Sequence, residues 1–260
     1  MIKEKRHGRI LELIKQEKLV TIQDLSKQLG VSYMTITRDL EDLETHGNLQ
    51  RIRGGAVSIV EENEMIPRLS NLYDPQRDPN YQKKISIGHY VAVNLVSDGD
   101  YITIEAGSTA SSLAPFLNQS NLTILTNGLL TSMMIAPIIR NVTLICSGGI
   151  LIETGAFIGP QAEDFFSKYK VKKVFFGAHG LTVEDGFTDP TPLYSRLKSV
   201  MRENAEKVIA MVDSSKIGVC SLVQVLAIED VDTIVTDAGA SSEIISALRD
   251  RGVDIRIAPD

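Results

Sequence analysis

The sequence has only two cysteines in 260 residues, Cys146 and Cys220. They stand far apart in apolar surroundings, match no metal-ligand or redox spacing, and point to a reducing compartment. No uninterrupted apolar run approaches the roughly eighteen residues that a membrane-spanning helix needs. The opening residues MIKEKRHGRI carry charge but no apolar core, so export is not expected and a cytoplasmic location is. Signs of disorder are missing too: hydrophobic residues make up 43% and charged residues 23%, ordinary values for a globular chain. A chain of this length holds one large domain or two ordinary ones.

The net charge of −6 conceals an asymmetry. Residues 1–57 hold ten Lys and Arg against eight Asp and Glu, whereas the remainder holds 17 against 25. A mildly basic head on an acidic body implies that nucleic acid, if bound, meets the head alone.

Within the head, Ile10, Leu13 and Ile14 form one apolar stripe at helical spacing between about Arg6 and Glu17. Thr21 reads as an N-cap for a second helix over Ile22–Leu29, with Leu25 and Leu29 inward and Gly30 ending it. Ser32 caps a third helix whose buried positions are Ile36, Leu40 and Leu43, while Val31 packs the intervening turn. Gly47 stops that helix. Asn48–Val57 then reads as a β-hairpin, with Gly54-Gly55 where a tight wing turn needs φ > 0.

Residues 58–80 read as a linker between domains. Three acidic residues fall within Glu61–Glu64, and Pro67, Pro75 and Pro79 interrupt any long helix, leaving room for a short one near Arg68. From Tyr81 to the end, residues 81–260, helices alternate with apolar runs. A helix over about 81–96 precedes strands expected at 101–105, 122–126, 141–146, 173–177, 207–212 and 233–236. Runs such as YITI, LTIL, VTLI and KVFF, separated by helices, predict an α/β domain with a mostly parallel sheet covered by helices on both faces. Such sheets bind ligands at the loops beyond the carboxyl ends of their strands.

Helix, turn, capped helix and basic hairpin form the layout of a winged helix-turn-helix, a small α+β unit that reads the major groove of double-stranded DNA. The exposed start of the third helix offers Ser32, Tyr33, Thr35, Thr37 and Arg38 to phosphates and base edges. Arg51 and Arg53, alternating on the hairpin, point one way and can grip the DNA backbone or minor groove. The alternative is a helical protein-interaction module whose arginines are merely solvated.

The run VSYMTITRDLEDLETHGNLQRIRGGAV, residues 31–57, resembles the signature of DeoR-type transcriptional regulators, and the likeness extends upstream through residues 6–30. That family has an Arg-Asp-Leu core in its recognition helix and a basic wing closed by Gly-Gly-Ala. Thr37 departs from it, standing where an Arg is usual beside Arg38; Arg53 stands where a His is common. The first change removes one cationic contact, and the second keeps a donor in the wing.

In the body, Glu105-Ala106-Gly107-Ser108-Thr109-Ala110 lies directly between a strand and a helix. Small residues let backbone approach a ligand, and N–H groups with two hydroxyls at a helix start suit an anion. A tight turn with an N-cap gives the same residues. Similar loops recur, however: Thr126-Asn127-Gly128, Ser147-Gly148-Gly149 and Asp213-Ser214-Ser215-Lys216 each follow a strand. Several polar, Gly-containing loops at strand ends of one sheet converge on one crevice. Glu105, Gly107, Ser108, Thr109, Asn127, Gly128, Gly148 and Gly149 are therefore candidate effector contacts. Lys198 and Lys216 are the candidate cations, with Lys216 preferred because a helical Lys such as Lys198 is usually solvated.

The body also resembles the DeoR-type effector domain, through the Gly-Ser-Thr loop, TNG at 126–128, SGG at 147–149, FIGPQAE at 157–163, GAHGLTVEDGFT at 177–188 and VDSSKIG at 212–218. The resemblance implies a phosphorylated sugar or related metabolite as effector, and a distant likeness to ribose-5-phosphate isomerase. That enzyme needs carboxylates beside the sugar for general acid–base chemistry, in a motif resembling Asp-Gly-Ala-Asp-Glu. Phe176-Gly177-Ala178-His179-Gly180 stands there instead, so catalysis is not expected; His179 is a lone imidazole, and Glu184 and Asp185 lie further on in a turn. Glu105 replaces a usual Asp, and Tyr194 stands near a usual Glu, which together imply an effector of altered size or polarity.

The leading expectation is a repressor of a carbohydrate-catabolic operon, without cofactor or metal, acting as an even-numbered homo-oligomer on paired half-sites. Two readings compete with it. One is a sugar-phosphate isomerase with a DNA-binding appendage; the other is a constitutive DNA-binding protein whose body serves only assembly.

Overall fold

In the computed structural model the described residues are 3–17, 19–45, 49–52, 54–58 and 78–259. Two compact units divide the chain, Met1–Pro67 and Arg68–Asp260.

The first unit follows its apolar spacing. Helices α1 (Lys3–Glu17), α2 (Ile22–Leu29) and α3 (Tyr33–Thr45) bury Ile10, Ile14, Leu25, Ile36 and Leu40 in one core. Thr21 caps α2, its hydroxyl accepting from the Asp24 amide at 3.1 Å, and Gly30 closes the helix in the left-handed region at φ 63°. The expected hairpin forms as β2 (Leu49–Ile52) and β3 (Gly55–Ser58). Sequence reading missed β1 (Leu19–Thr21), which pairs antiparallel with β3 to give the order β1-β3-β2. Three residues are too short for a periodic signal. Gly55 shows the constraint: a Cβ there would lie 2.2 Å from Val20 O, so the wing needs glycine to reach β1. The expected helix stop at Gly47 and the linker over 59–77 lie outside the described residues.

The second unit is a seven-stranded sheet, every pairing parallel, flanked by helices. After α4 (Tyr81–Leu95) come β4 (Tyr101–Ile104), the single turn α5 (Ser108–Ser111), β5 (Leu122–Thr126), α6 (Leu129–Ile135) and β6 (Val142–Cys146). A two-stranded ribbon, β7 (Ile150–Leu151) and β8 (Phe157–Ile158), leads into α7 (Pro160–Ser167) and β9 (Val171–Phe176). Next are β10 (Gly180–Thr182), β11 (Gly186–Asp189), α8 (Ser195–Glu203), β12 (Ala205–Met211) and β13 (Val223–Leu226). The chain ends with β14 (Thr233–Asp237), α9 (Ser242–Asp250) and β15 (Asp254–Ala258). The main sheet has the order β15-β14-β12-β9-β4-β5-β6, and β10-β11-β13 form a small antiparallel sheet.

All six expected strands are present. The edge strand β15 was not expected, because its DIRIA sequence interleaves charged residues and lacks the continuous apolar run of a central strand. Inside the sheet, successive residues serve opposite cores. Ile102, Ile104, Phe175 and Met211 face α4, whereas Val174, Phe176, Ala210 and Ile234 face α8 and α9. No described helix is long and apolar enough to cross a membrane.

Helix α4 approaches the α5 turn closely at Gly88, where a Cβ would fall 2.4 Å from the Ser112 backbone and hydroxyl. Gly88→Val is expected to destabilise the second unit by about 2 kcal/mol or more, read as a lower urea midpoint.

Candidate functional site

The head places its groups as follows. Ser32 stands just before α3, its hydroxyl accepting from the Thr35 amide at 3.2 Å and bonding the Thr35 hydroxyl at 2.9 Å. The Thr37 hydroxyl turns back to Tyr33 O at 3.0 Å, so it is partly occupied within the helix. Tyr33 and Arg38 are exposed on α3, and Arg38 has no ion-pair partner among the described residues. Arg51 differs from expectation. Its guanidinium pairs with Glu41 at 2.9 Å, and its amide donates to Glu44 Oε1 at 2.8 Å, which fastens the wing to α3. Arg53 lies outside the described residues.

Beside Arg38, Asp39 turns inward. Its carboxylate accepts from Arg6 Nε at 2.5 Å and Nη2 at 2.9 Å, and contacts His7 Nε2 at 3.1 Å. Burial opposes its ionisation, but the hydrogen bonds from Arg6 and His7 and the Arg6 charge outweigh it and hold the carboxyl below its ordinary range. This pair fixes the rotation of α3 about its own axis, and with it the direction in which Arg38 points.

In the second unit, a cavity of about 290 Å³ opens at the carboxyl ends of the central strands. Of the predicted effector residues, Glu105, Gly107, Ser108, Thr109, Gly128, Lys198 and Lys216 line it. Asn127 does not. It is fully buried behind the wall, its Oδ1 accepting from the Ala106 amide at 2.8 Å and its Nδ2 donating to Phe157 O at 3.2 Å. Asn127 supports the Gly-Ser-Thr loop from behind. Gly148 and Gly149 are also outside the lining; Gly149 is small because a Cβ would meet Ile158 O at 2.7 Å.

The expected preference between the two lysines is reversed in one respect. Lys198 is almost fully buried, 4% exposed, on a helix whose polar heads were expected to reach water. Its ammonium lies 2.9 Å from Asp189 Oδ2 and 3.4 Å from Glu105 Oε1, and donates to Gly177 O. Glu105 Oε2 in turn accepts from the Gly177 amide at 3.2 Å. Lys216 stands half-buried and makes no direct ion pair among the described residues.

The anion cradle also differs from expectation. The helix after Gly107 is one turn long, too short for a useful dipole, so charge there comes from side chains. Lys84 on α4, missed in the sequence, reaches the cavity and donates to Ser108 Oγ at 3.0 Å. No motif marks it; only the packing of α4 across the sheet end brings it there.

Asp189 is a site carboxylate that sequence reading missed, beside the expected Glu105. Residues 176–180 carry none, but Glu105 and Asp189 enter from β4 and β11. His179 Nδ1 and its amide both contact Asp189 Oδ1 at 3.1 Å. One lysine thus serves two buried carboxylates. Burial pushes Glu105 up to about 7, more than the Lys198 charge draws it down, while hydrogen bonds from His179 and the Lys198 charge overcome burial and hold Asp189 low. Glu105 therefore titrates near neutral pH, while Asp189 stays ionised there. Tyr194 closes one wall, its hydroxyl bonded to Thr154 at 2.9 Å. Among the described residues no three His, Cys, Asp or Glu side chains cluster as metal ligands.

Residues 79–238 match the DeoR C terminal sensor domain, and residues 6–62 match the DeoR-like helix-turn-helix domain. The chain belongs to the DeoR family. It is 32% identical to the HTH-type transcriptional regulator YulB of Bacillus subtilis, covering 100% of this chain and 98% of that protein. It is 30% identical to the HTH-type transcriptional regulator GolR of Listeria innocua, covering 97% and 98%. These DeoR relatives carry the names of regulators, in agreement with a DNA-binding transcription factor that is not an enzyme. Ribose 5-phosphate isomerase A of Methanocaldococcus jannaschii overlays 53% of the chain and 55% of its own at 18% identity and a TM-score of 0.39, a likeness too loose to carry function.

Two outcomes follow from the buried ions of this DeoR chain. Asp39→Asn removes the negative charge that Arg6 and His7 share and is expected to cost about 2–4 kcal/mol, seen as an earlier melting transition of the first unit in calorimetry. The raised Glu105 value means that the folded state binds an extra proton between pH 4.5 and about 7. Stability from this group is therefore complete below about 4.5 and declines as pH rises through 7. The loss is on the order of 3 kcal/mol. Denaturation across this range is expected to show the decline in the wild type and a flatter profile in Glu105→Gln.

Proposed function

We propose that this regulator is a cytoplasmic repressor of a carbohydrate-catabolic operon, released from DNA when a phosphorylated sugar occupies its second unit. The observation that carries this reading is the two-ended cavity. At its rim Lys84, Ser108 and Lys216 supply cations and a hydroxyl suited to a phosphate. Deeper in, Glu105, Asp189 and Lys198 offer acceptors and a donor suited to sugar hydroxyls.

Residues 1–57 serve as the DNA-reading unit, 58–80 as the linker and 81–260 as the sensor. Ser32, Tyr33, Thr35, Thr37 and Arg38 meet the major groove, with Arg51 and Arg53 at the backbone. Arg51 does so with its Glu41 pair as a competing partner, so Arg38 is the principal cation of the head. Paired half-sites call for an even-numbered homo-oligomer. Release by ligand requires different affinity for the two states, typically about 1–3 kcal/mol.

The test is a gel-shift titration on the neighbouring promoter with a panel of phosphosugars, paired with thermal-shift measurements. A phosphosugar is expected to raise the melting temperature and to weaken DNA binding; the dephosphorylated sugar is expected to do neither. Lys216→Ala is expected to weaken that phosphosugar about tenfold or more. If no phosphorylated metabolite shifts either measurement, the sensor assignment fails. Turnover of ribose 5-phosphate or a hexose phosphate would favour the isomerase alternative.

A further inference from the structure

Asp78 stands six residues before Lys84, at the entrance to α4. Its Oδ2 accepts from Lys84 Nζ at 2.6 Å, and that same ammonium donates to Ser108 Oγ at 3.0 Å. Its Oδ1 accepts from the Asn80 amide at 2.9 Å, and its carbonyl from the Tyr81 amide at 3.0 Å, so Asp78 also starts the helix.

The same short stretch holds the other wall of the cationic rim. Asn80 Nδ2 donates to Ser215 Oγ at 3.1 Å, and Lys83 Nζ to Ser214 Oγ at 2.8 Å. Both serines belong to the turn that presents Lys216. The first turn of α4 is thus tied to the Gly-Ser-Thr loop on one side and to the Ser214–Lys216 turn on the other. Burial opposes the charge of Asp78, yet the Lys84 hydrogen bond, the Asn80 amide and the charges of Lys84 and Lys216 hold its carboxyl below the ordinary range. The two lysines that favour this carboxylate are the two at the cavity rim.

We propose that Asp78 is the resident counter-ion of the anion cradle, and that an incoming phosphate takes Lys84 from it and loosens the first turn of α4. The proposal rests on the reading that the cavity receives a phosphorylated ligand. A phosphate on Ser108 and Lys84 brings a second negative charge beside Asp78, in a half-buried setting where like charges repel strongly. Asp78 keeps its place only while Lys84 is shared with no stronger anion. Its displacement removes the acceptor of the Asn80 amide at the entrance to α4. Ligand occupancy is in this way converted into a change at the entrance to the sensor.

A helix cap alone gives the opposite sign, which makes the experiment decisive. In the full chain, Asp78→Asn keeps an oxygen that can accept from the Asn80 amide and removes the charge; Asp78→Ser is a second uncharged acceptor. Both are expected to bind inorganic phosphate about three- to tenfold more tightly than the wild type, measured by calorimetry. In the wild type, saturating phosphate is expected to speed hydrogen exchange at the Asn80 and Tyr81 amides. Equal or weaker phosphate binding in the variants, or slowed exchange at these amides, overturns the proposal and leaves the phosphate site standing. If the wild type binds neither inorganic phosphate nor any phosphosugar, the underlying reading of the cavity falls, and this proposal with it.

Discussion

The sensor site depends on one buried ammonium. Lys198 is surrounded by Glu105, Asp189 and the Gly177 carbonyl, contributed by the ends of β4, β11 and β9, while the lysine itself comes from α8. Four elements therefore meet at one counter-ion, and β4 is the one far from the others in sequence. Removing that charge leaves two carboxylates facing each other out of water; removing both carboxylates leaves a buried cation. Neither state is tolerable, so the floor of the cavity is held in one geometry, and polar atoms remain there in a form that a ligand can meet without rearrangement.

The first unit repeats this logic on a smaller scale. Asp39 lies on the buried side of α3 and is gripped by Arg6 and His7 of α1, while its neighbour Arg38 faces outward. An apolar contact at that position would hold α3 in the core but leave its rotation less determined. Directional hydrogen bonds to a fork-shaped guanidinium set the helix about its own axis. The wing is fastened by the same means, through Arg51 and the two glutamates Glu41 and Glu44. An arginine expected to face nucleic acid thereby gains a structural role.

Functional polarity in the second unit is arranged along the strand axis. Deep groups come from strand ends and α8, and of these Glu105 titrates near neutral pH because burial outweighs the charge of the lysine it shares with Asp189. Rim groups come from α4, the Gly-Ser-Thr loop and the Ser214–Lys216 turn, and they are cationic or hydroxylic.

Local signals determined a good part of this DeoR protein. Cap residues such as Thr21 and Ser32, helix spacing in Ile10, Ile36 and Leu40, and runs such as LTIL and KVFF each act over a few residues, so their outcome is legible without knowing the fold. The same holds for the Gly-Ser-Thr loop, which borders the cavity as its composition suggested. Tertiary structure alone decided which polar groups meet. Lys84 and Ser108 are 24 positions apart, and Lys198 and Glu105 are 93 apart; nothing in either neighbourhood announces the contact. Asn127, Gly148 and Gly149 show the converse, residues of the right type at strand ends whose roles are buried support and close packing. A loop's chemistry is written in its own residues. Which side of the wall it faces is set by the sheet order and by the helices that cover it.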